Sequence, residues 1–134
     1  MQFLQLTLIG GAAFFLVDML WLGVIAKNLY KEQLGPLLAA APNMVAAGLF
    51  YVLYIVALVF FVILPAVQSG SWQYALFAGA FFGLIAYGTY DLTNLATLKD
   101  WPVKIVVLDM LWGTVLSGVT CLITFHVWRY FFNA

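Results

Sequence analysis

Residues 44–66 read MVAAGLFYVLYIVALVFFVILPA, a run without a single charged side chain. A helix rises about 1.5 Å per residue and the hydrocarbon core of a bilayer is about 30 Å thick, so a run of this length crosses a membrane once. Lipid supplies no partner for an open backbone amide, which leaves the helix, whose amides bond one another, as the conformation available. Three more segments meet the same standard, and the expected spans are 3–25, 44–66, 74–97 and 103–125. The fold class is all-α: an integral membrane bundle of four antiparallel transmembrane helices, a single domain over residues 1–134. Composition agrees, since 66% of the 134 residues are hydrophobic and 7% charged, against about 45–50% apolar content in a soluble domain.

The connections set the directions of the helices. VQSGSWQ at 67–73 and LKDWP at 98–102 are too short for anything but antiparallel neighbours. Pro65 reads as a helix exit, and Pro102 sits where the fourth span begins. The longest link, AKNLYKEQLGPLLAAAPN at 26–43, suits a short interfacial helix with Leu29, Tyr30 and Leu34 on the membrane surface and Lys27, Lys31 and Glu32 in water. The first span lacks a basic leader and is interrupted by Asp18, so it is expected to be retained rather than cleaved as a signal peptide. Lys27, Lys31, Lys99 and Lys104 flank the first and third connections, with only Arg129 on the opposite side. Under the positive-inside rule both termini lie outside a bacterial inner membrane. Five Lys and Arg balance five Asp and Glu, which removes the basic excess a nucleic-acid partner requires. Cys121, the only cysteine, cannot form an intramolecular disulfide.

The acids are the informative residues. Counted along the helices, Asp18 lies roughly 8 Å from the lysine-bearing boundary, Asp109 about 9 Å and Asp91 about 5 Å. Three of the five acids thus share one layer on three helices. Two of them sit in a repeated text, VDMLWLG at 17–23 and LDMLWG at 108–113. An inverted duplication would put DMLW in opposite leaflets, so equal depth points to one device used twice. In each copy Trp follows Asp by three residues, so Asp18 with Trp21, and Asp109 with Trp112, share a helical face.

Ionised aspartate facing lipid costs about 2.5–3.5 kcal/mol at the bilayer centre, so the three are expected to face inward and to hold protons in common. The third span adds Tyr87, Asp91 and Asn94, and the second adds Tyr51 and Tyr54, three residues apart in FYVLY. The candidate binding and proton-exchange set is therefore Asp18, Trp21, Tyr51, Tyr54, Tyr87, Asp91, Asn94, Asp109 and Trp112. No residue is singled out as catalytic, no cofactor is implied, and no metal-ligand spacing occurs. The plain alternatives are a hydrogen-bond network that glues helices together and an interfacial belt of tryptophans. GAFFG at 79–83 reads first as helix packing within the chain. Thr89, Thr93 and Thr97 are expected to bond their own backbone.

TYDLTN at 89–94, inside YGTYDLTNLATLKDWP and flanked by FYVLYIVALVFFVILPA and LDMLWGTVLSG, resembles a family of small bacterial membrane proteins classified as a domain of unknown function. The resemblance covers nearly the whole chain and implies four helices in the inner membrane. It leans the ligand toward lipid and carries over no activity. The leading functional expectation is binding, and proton-coupled transport, of a small polar or amphipathic molecule in a pocket open to the cytoplasm. Four helices are few for a complete path, so a homodimer is expected, through Gly79 and Gly83 or Gly113 and Ser117. The rivals are a membrane-embedded enzyme acting on lipid head groups or isoprenoid tails, with one Asp as general acid or base, and a non-catalytic accessory subunit. A lateral portal lined by Phe and Leu would favour chemistry on lipids, and an aqueous funnel would favour transport.

Overall fold

The structure, a computed structural model, describes residues 1–132. Among them, four helices are long and apolar enough to cross a membrane: α1, Gln2–Ile25; α3, Met44–Ser69; α4, Trp72–Thr97; and α5, Val103–Phe132. The short α2, Leu29–Leu34, follows α1, and the described residues contain no strand. The all-α bundle expected from the apolar runs is the observed one.

Two boundaries differ from expectation. α3 does not stop at Pro65 but runs on to Ser69, where Gly70 in the left-handed region (φ 70°) ends it. Proline has no N–H to give to the carbonyl four residues back, here that of Phe61. The chain accommodates this with a wide π turn over Val59–Ile63. The freed Phe61 carbonyl accepts a hydrogen bond from the Tyr74 hydroxyl of α4 at 3.1 Å. α5 likewise extends past 125 to Phe132. The caps are ordinary: Asn43 accepts from the Ala46 N–H at 3.1 Å, and Ser71 accepts from the Tyr74 N–H at 3.0 Å. In the 98–102 hairpin Asp100 takes φ 58°, a conformation Asp tolerates better than most residues.

Between helices in lipid there is little hydrophobic drive, and close approach through small residues takes its place. α4 and α5 form the closest pair. A Cβ built on Gly83 would stand 2.2 Å from the Gly113 carbonyl oxygen, and one on Gly79 would stand 2.9 Å from the Cys121 sulfur. Gly79 and Gly83 therefore face Gly113, Ser117 and Cys121 within one chain. Packing within the chain is the use that GAFFG first suggested. α1 lies across α5, and the second half of α3 completes a core of Leu6, Phe14, Leu58, Val59, Ile63 and Leu116. The first half of α3 is different: Met44 to Phe50 are all exposed. The bundle is thus closed at the Arg129 end and splayed between α3 and α4 at the end carrying the lysines.

Candidate functional site

The splayed end holds the repeated text. Trp21 and Trp112 stack with ring centroids 4.7 Å apart and planes 9° from parallel. Each indole then serves the acid of the other repeat. The Trp112 Nε1–H donates directly to Asp18 Oδ1 at 3.1 Å. The Trp21 Nε1–H donates to the Tyr30 hydroxyl at 2.9 Å, and that hydroxyl donates to Asp109 Oδ1 at 2.7 Å. The sequence reading put each Asp with the Trp of its own helix; the structure crosses the partners, because the i,i+3 face of each helix is turned toward the other helix rather than along itself.

Tyr30 is the residue that the sequence reading left on the membrane surface. A π turn at Trp21–Ile25 ends α1, with the Ala26 N–H bonded to the Trp21 carbonyl at 2.6 Å. Such turns often mark functional sites. The reversal after it brings α2 back over the bundle. Lys27, Lys31 and Glu32 remain exposed as expected, but Tyr30 turns inward beside Leu34, which is buried with Trp101, Ile105 and Val106. The signal was present in the spacing: Tyr30 and Leu34 are four apart and share a face. Burial pushes the Tyr30 phenol above its ordinary range; the Trp21 N–H draws it back in part, and the neighbouring Asp109 raises it again.

Asp91 lies behind this array. Its side chain is fully buried, and neither carboxyl oxygen has a hydrogen-bond partner among the described residues. Asp109 of α5 is its neighbour among the acids, with no hydrogen bond joining the two carboxyls. The close contact of α4 and α5 at Gly83 and Gly113 is what holds these acids side by side. Gly113, the residue after Trp112, has a second use: a Cβ there would meet the Tyr87 ring at 2.2 Å. The ring of Tyr87 packs against α5 at Gly113.

Two cavities meet at this layer. One, of about 240 Å³, is lined by Asp18, Trp21, Tyr30, Tyr87, Asp109 and Trp112 among others and lies beneath α2. The other, of about 310 Å³, is lined by Phe50, Ala86, Tyr87, Tyr90 and Asp109. Tyr87, Tyr90 and Asp109 are common to both. The second cavity lies between α4 and the exposed first half of α3. Phe50 is six residues into α3, about 9 Å from its start, so this opening faces sideways at the depth of acyl chains.

The remaining members of the predicted set fall elsewhere. Tyr54 is core: its hydroxyl pairs with the Ser117 hydroxyl at 2.6 Å, and its ring packs on Phe14 and Phe82. Tyr51 packs edge-on against Phe14, and its buried hydroxyl has no partner among the described residues. Asn94 lines neither cavity. All three were grouped by helical spacing, which gives relative but not absolute rotation about an axis. Tyr30, Tyr90, Phe50 and Ala86 were missed for the same reason. Thr89 and Thr97 donate to the Ile85 and Thr93 carbonyls, as expected of threonine in a membrane helix. No group of three His, Cys, Asp or Glu among the described residues is arranged to hold a metal.

The family described as Predicted membrane protein (DUF2177) matches residues 3–126, and the chain belongs to it. No curated protein and no solved structure matches the chain.

Proposed function

We propose that this membrane protein binds a small amphipathic molecule, its polar head beneath α2 and its apolar chain in the opening between α3 and α4, with the acids exchanging protons as it binds. The observation that carries this reading is the pair of cavities with a common wall at Tyr87, Tyr90 and Asp109. One is walled by acids and amphipathic aromatics, the other by Phe50, Ala86 and ring faces, and such a division matches a ligand with two unlike ends. The lysine end faces the cytoplasm of a bacterial inner membrane, since Lys and Arg are retained on that side. The ligand then enters laterally from the inner leaflet, and the carboxyls of Asp18, Asp91 and Asp109 trade protons with the cytoplasm during transport.

The test is recovery of the occupant. The full-length protein, extracted in native lipid patches, is analysed by mass spectrometry beside Phe50→Ala and Gly113→Ala. A bound amphiphile retained by the wild type and lost from Gly113→Ala supports the reading, because the added methyl displaces Tyr87 from the shared wall. Equal bulk lipid in all three samples overturns it. A second reading, an enzyme acting on lipid with one Asp as general acid or base, draws on the sideways opening at Phe50 and on the unpartnered, buried Asp91 beside Asp109. A chemically altered lipid, formed by the wild type and absent with Asp109→Asn, distinguishes it from transport. The third, an accessory subunit whose acids only join helices, predicts that Asp→Asn is tolerated throughout.

A further inference from the structure

The chemistry of the wall narrows the ligand. Resting on the reading of a two-part pocket, we infer that the occupant is an organic cation, an alkylammonium head carrying an apolar chain, taken up in exchange for one proton.

The head cavity presents two carboxyls, Asp18 and Asp109, and a set of aromatic side chains, Trp21, Tyr30, Tyr87 and Trp112. Its lining contains no Lys, Arg or His. Three of the donors an anionic head would need are already committed: the Trp112 N–H to Asp18, the Trp21 N–H to Tyr30, and the Tyr30 O–H to Asp109; the hydroxyls of Tyr87 and Tyr90 remain, neutral donors that bring no positive charge. A phosphate or carboxylate entering here meets like charge at short range in a medium of low dielectric. An ammonium meets the opposite situation. Its charge lies beside carboxylates, and its alkyl substituents lie against indole and phenol faces, the combination that recognises quaternary ammonium groups elsewhere. The Trp21–Trp112 stack gives that wall rigidity, since two planar rings 4.7 Å apart have little room to turn. The sideways cavity at Phe50 then receives the chain.

The proton follows from Asp91. A fully buried carboxyl with no hydrogen-bond partner, held against Asp109, is not kept as a lone anion in lipid. Asp91 is the neutral acid when the pocket has no cation, and its proton leaves when a positive charge arrives beside Asp109. The groups facing Asp109 are Asp18 from α1, Tyr30 from α2, and Tyr87, Tyr90 and Asp91 from α4; α3 presents only the ring of Phe50, and Lys104 on α5 itself is exposed. No basic side chain is there to offset one more negative charge beside Asp18 and Asp109. One cation arriving and one proton leaving keeps the charge of the site constant, which a low-dielectric pocket requires.

The experiment uses the full chain in a non-ionic maltoside detergent and three probes of equal chain length: octyltrimethylammonium, 1-octanol and octyl sulfate. Binding is read by quenching of tryptophan fluorescence, with Trp72→Phe, at the opposite end of the bundle, as the spectral control. Proton release is read in weakly buffered solution. The expected result is that the cation binds about tenfold or more tighter than either analogue and releases close to one proton. Its affinity should fall as the pH is lowered, approaching about tenfold per pH unit where each cation bound displaces one proton. Trp112→Phe and Tyr30→Phe should each weaken it. Proton release by the wild type needs no variant, so a misfolded mutant leaves the test intact. Equal binding of all three probes overturns the cation while leaving the two-part pocket standing. Selective cation binding with no proton release overturns the exchange. Failure of all three to bind removes the pocket reading itself.

Discussion

Replacing Gly83 by alanine tests the contact on which the placement of the acids depends. The new Cβ would stand 2.2 Å from the Gly113 carbonyl oxygen and 2.6 Å from the Ser117 Oγ. The closest comfortable approach of carbon to a carbonyl oxygen is about 3.3 Å, so α4 and α5 must part by roughly 1.1 Å at this level. The obstacle is backbone, which cannot rotate away as a side chain does. Overpacking of this kind costs typically about 1–3 kcal/mol, and a rigid partner puts Gly83→Ala near 3 kcal/mol. Asp91 lies two turns along the same helix, so separation at Gly83 also withdraws its carboxyl from Asp109. The assay is reversible unfolding in mixed micelles of increasing SDS content, read by tryptophan fluorescence, with two controls. Gly48→Ala meets nothing within 4 Å and should be neutral or mildly stabilising; the one tight contact of Gly88→Ala is the Met110 methyl at 3.0 Å, a flexible end, and the substitution should cost less than about 1 kcal/mol. If Gly83→Ala proves as stable as Gly48→Ala, the α4–α5 contact described above is wrong, and the apposition of Asp91 and Asp109 is wrong with it.

Other outcomes follow from single contacts. Trp112→Phe keeps the stack but removes the donor to Asp18, and should lower stability by about 1–3 kcal/mol at a pH where Asp18 is ionised, less in acid; equal loss at both pH values would count against the bond. Tyr74→Phe should cost about 1 kcal/mol in the wild type and close to nothing beside Pro65→Ala, where a restored N–H satisfies the Phe61 carbonyl instead; additive effects in the double-mutant cycle would refute the proline account. Tyr30, its phenol raised by burial, is neutral in the folded protein above the pH at which it ionises in the unfolded chain. Its contribution to stability is complete below the ordinary phenol range and is lost as pH rises through the higher folded value. The wild type should therefore lose stability in strong alkali more steeply than Tyr30→Phe, and parallel curves would show Tyr30 to be solvent-exposed.

The common depth of Asp18, Asp91 and Asp109 was legible without coordinates, because the rise per residue turns a count into a distance once the spans are known. The spans were legible because lipid leaves no other way to satisfy a backbone. Rotation was the quantity missing. Tyr51, Tyr54 and Asn94 lay at the right spacings, yet two of them belong to the core or its edge and the third lines neither cavity. Pro65 misled for a different reason: a π turn and a bond from Tyr74 in the next helix relieved the defect that proline creates.

Apolar length and charge placement, properties each segment has on its own, were enough to make this chain a four-helix membrane bundle with its acids in one layer. Which acid meets which indole was decided between segments. The glycines at 79, 83 and 113 let α4 and α5 approach until backbone touches side chain, and that approach sets how these two helices are turned about their axes. A helix can be rotated without changing its hydrophobicity, so only packing against its neighbours selected the arrangement in which Trp21, Tyr30, Asp109, Trp112 and Asp18 join.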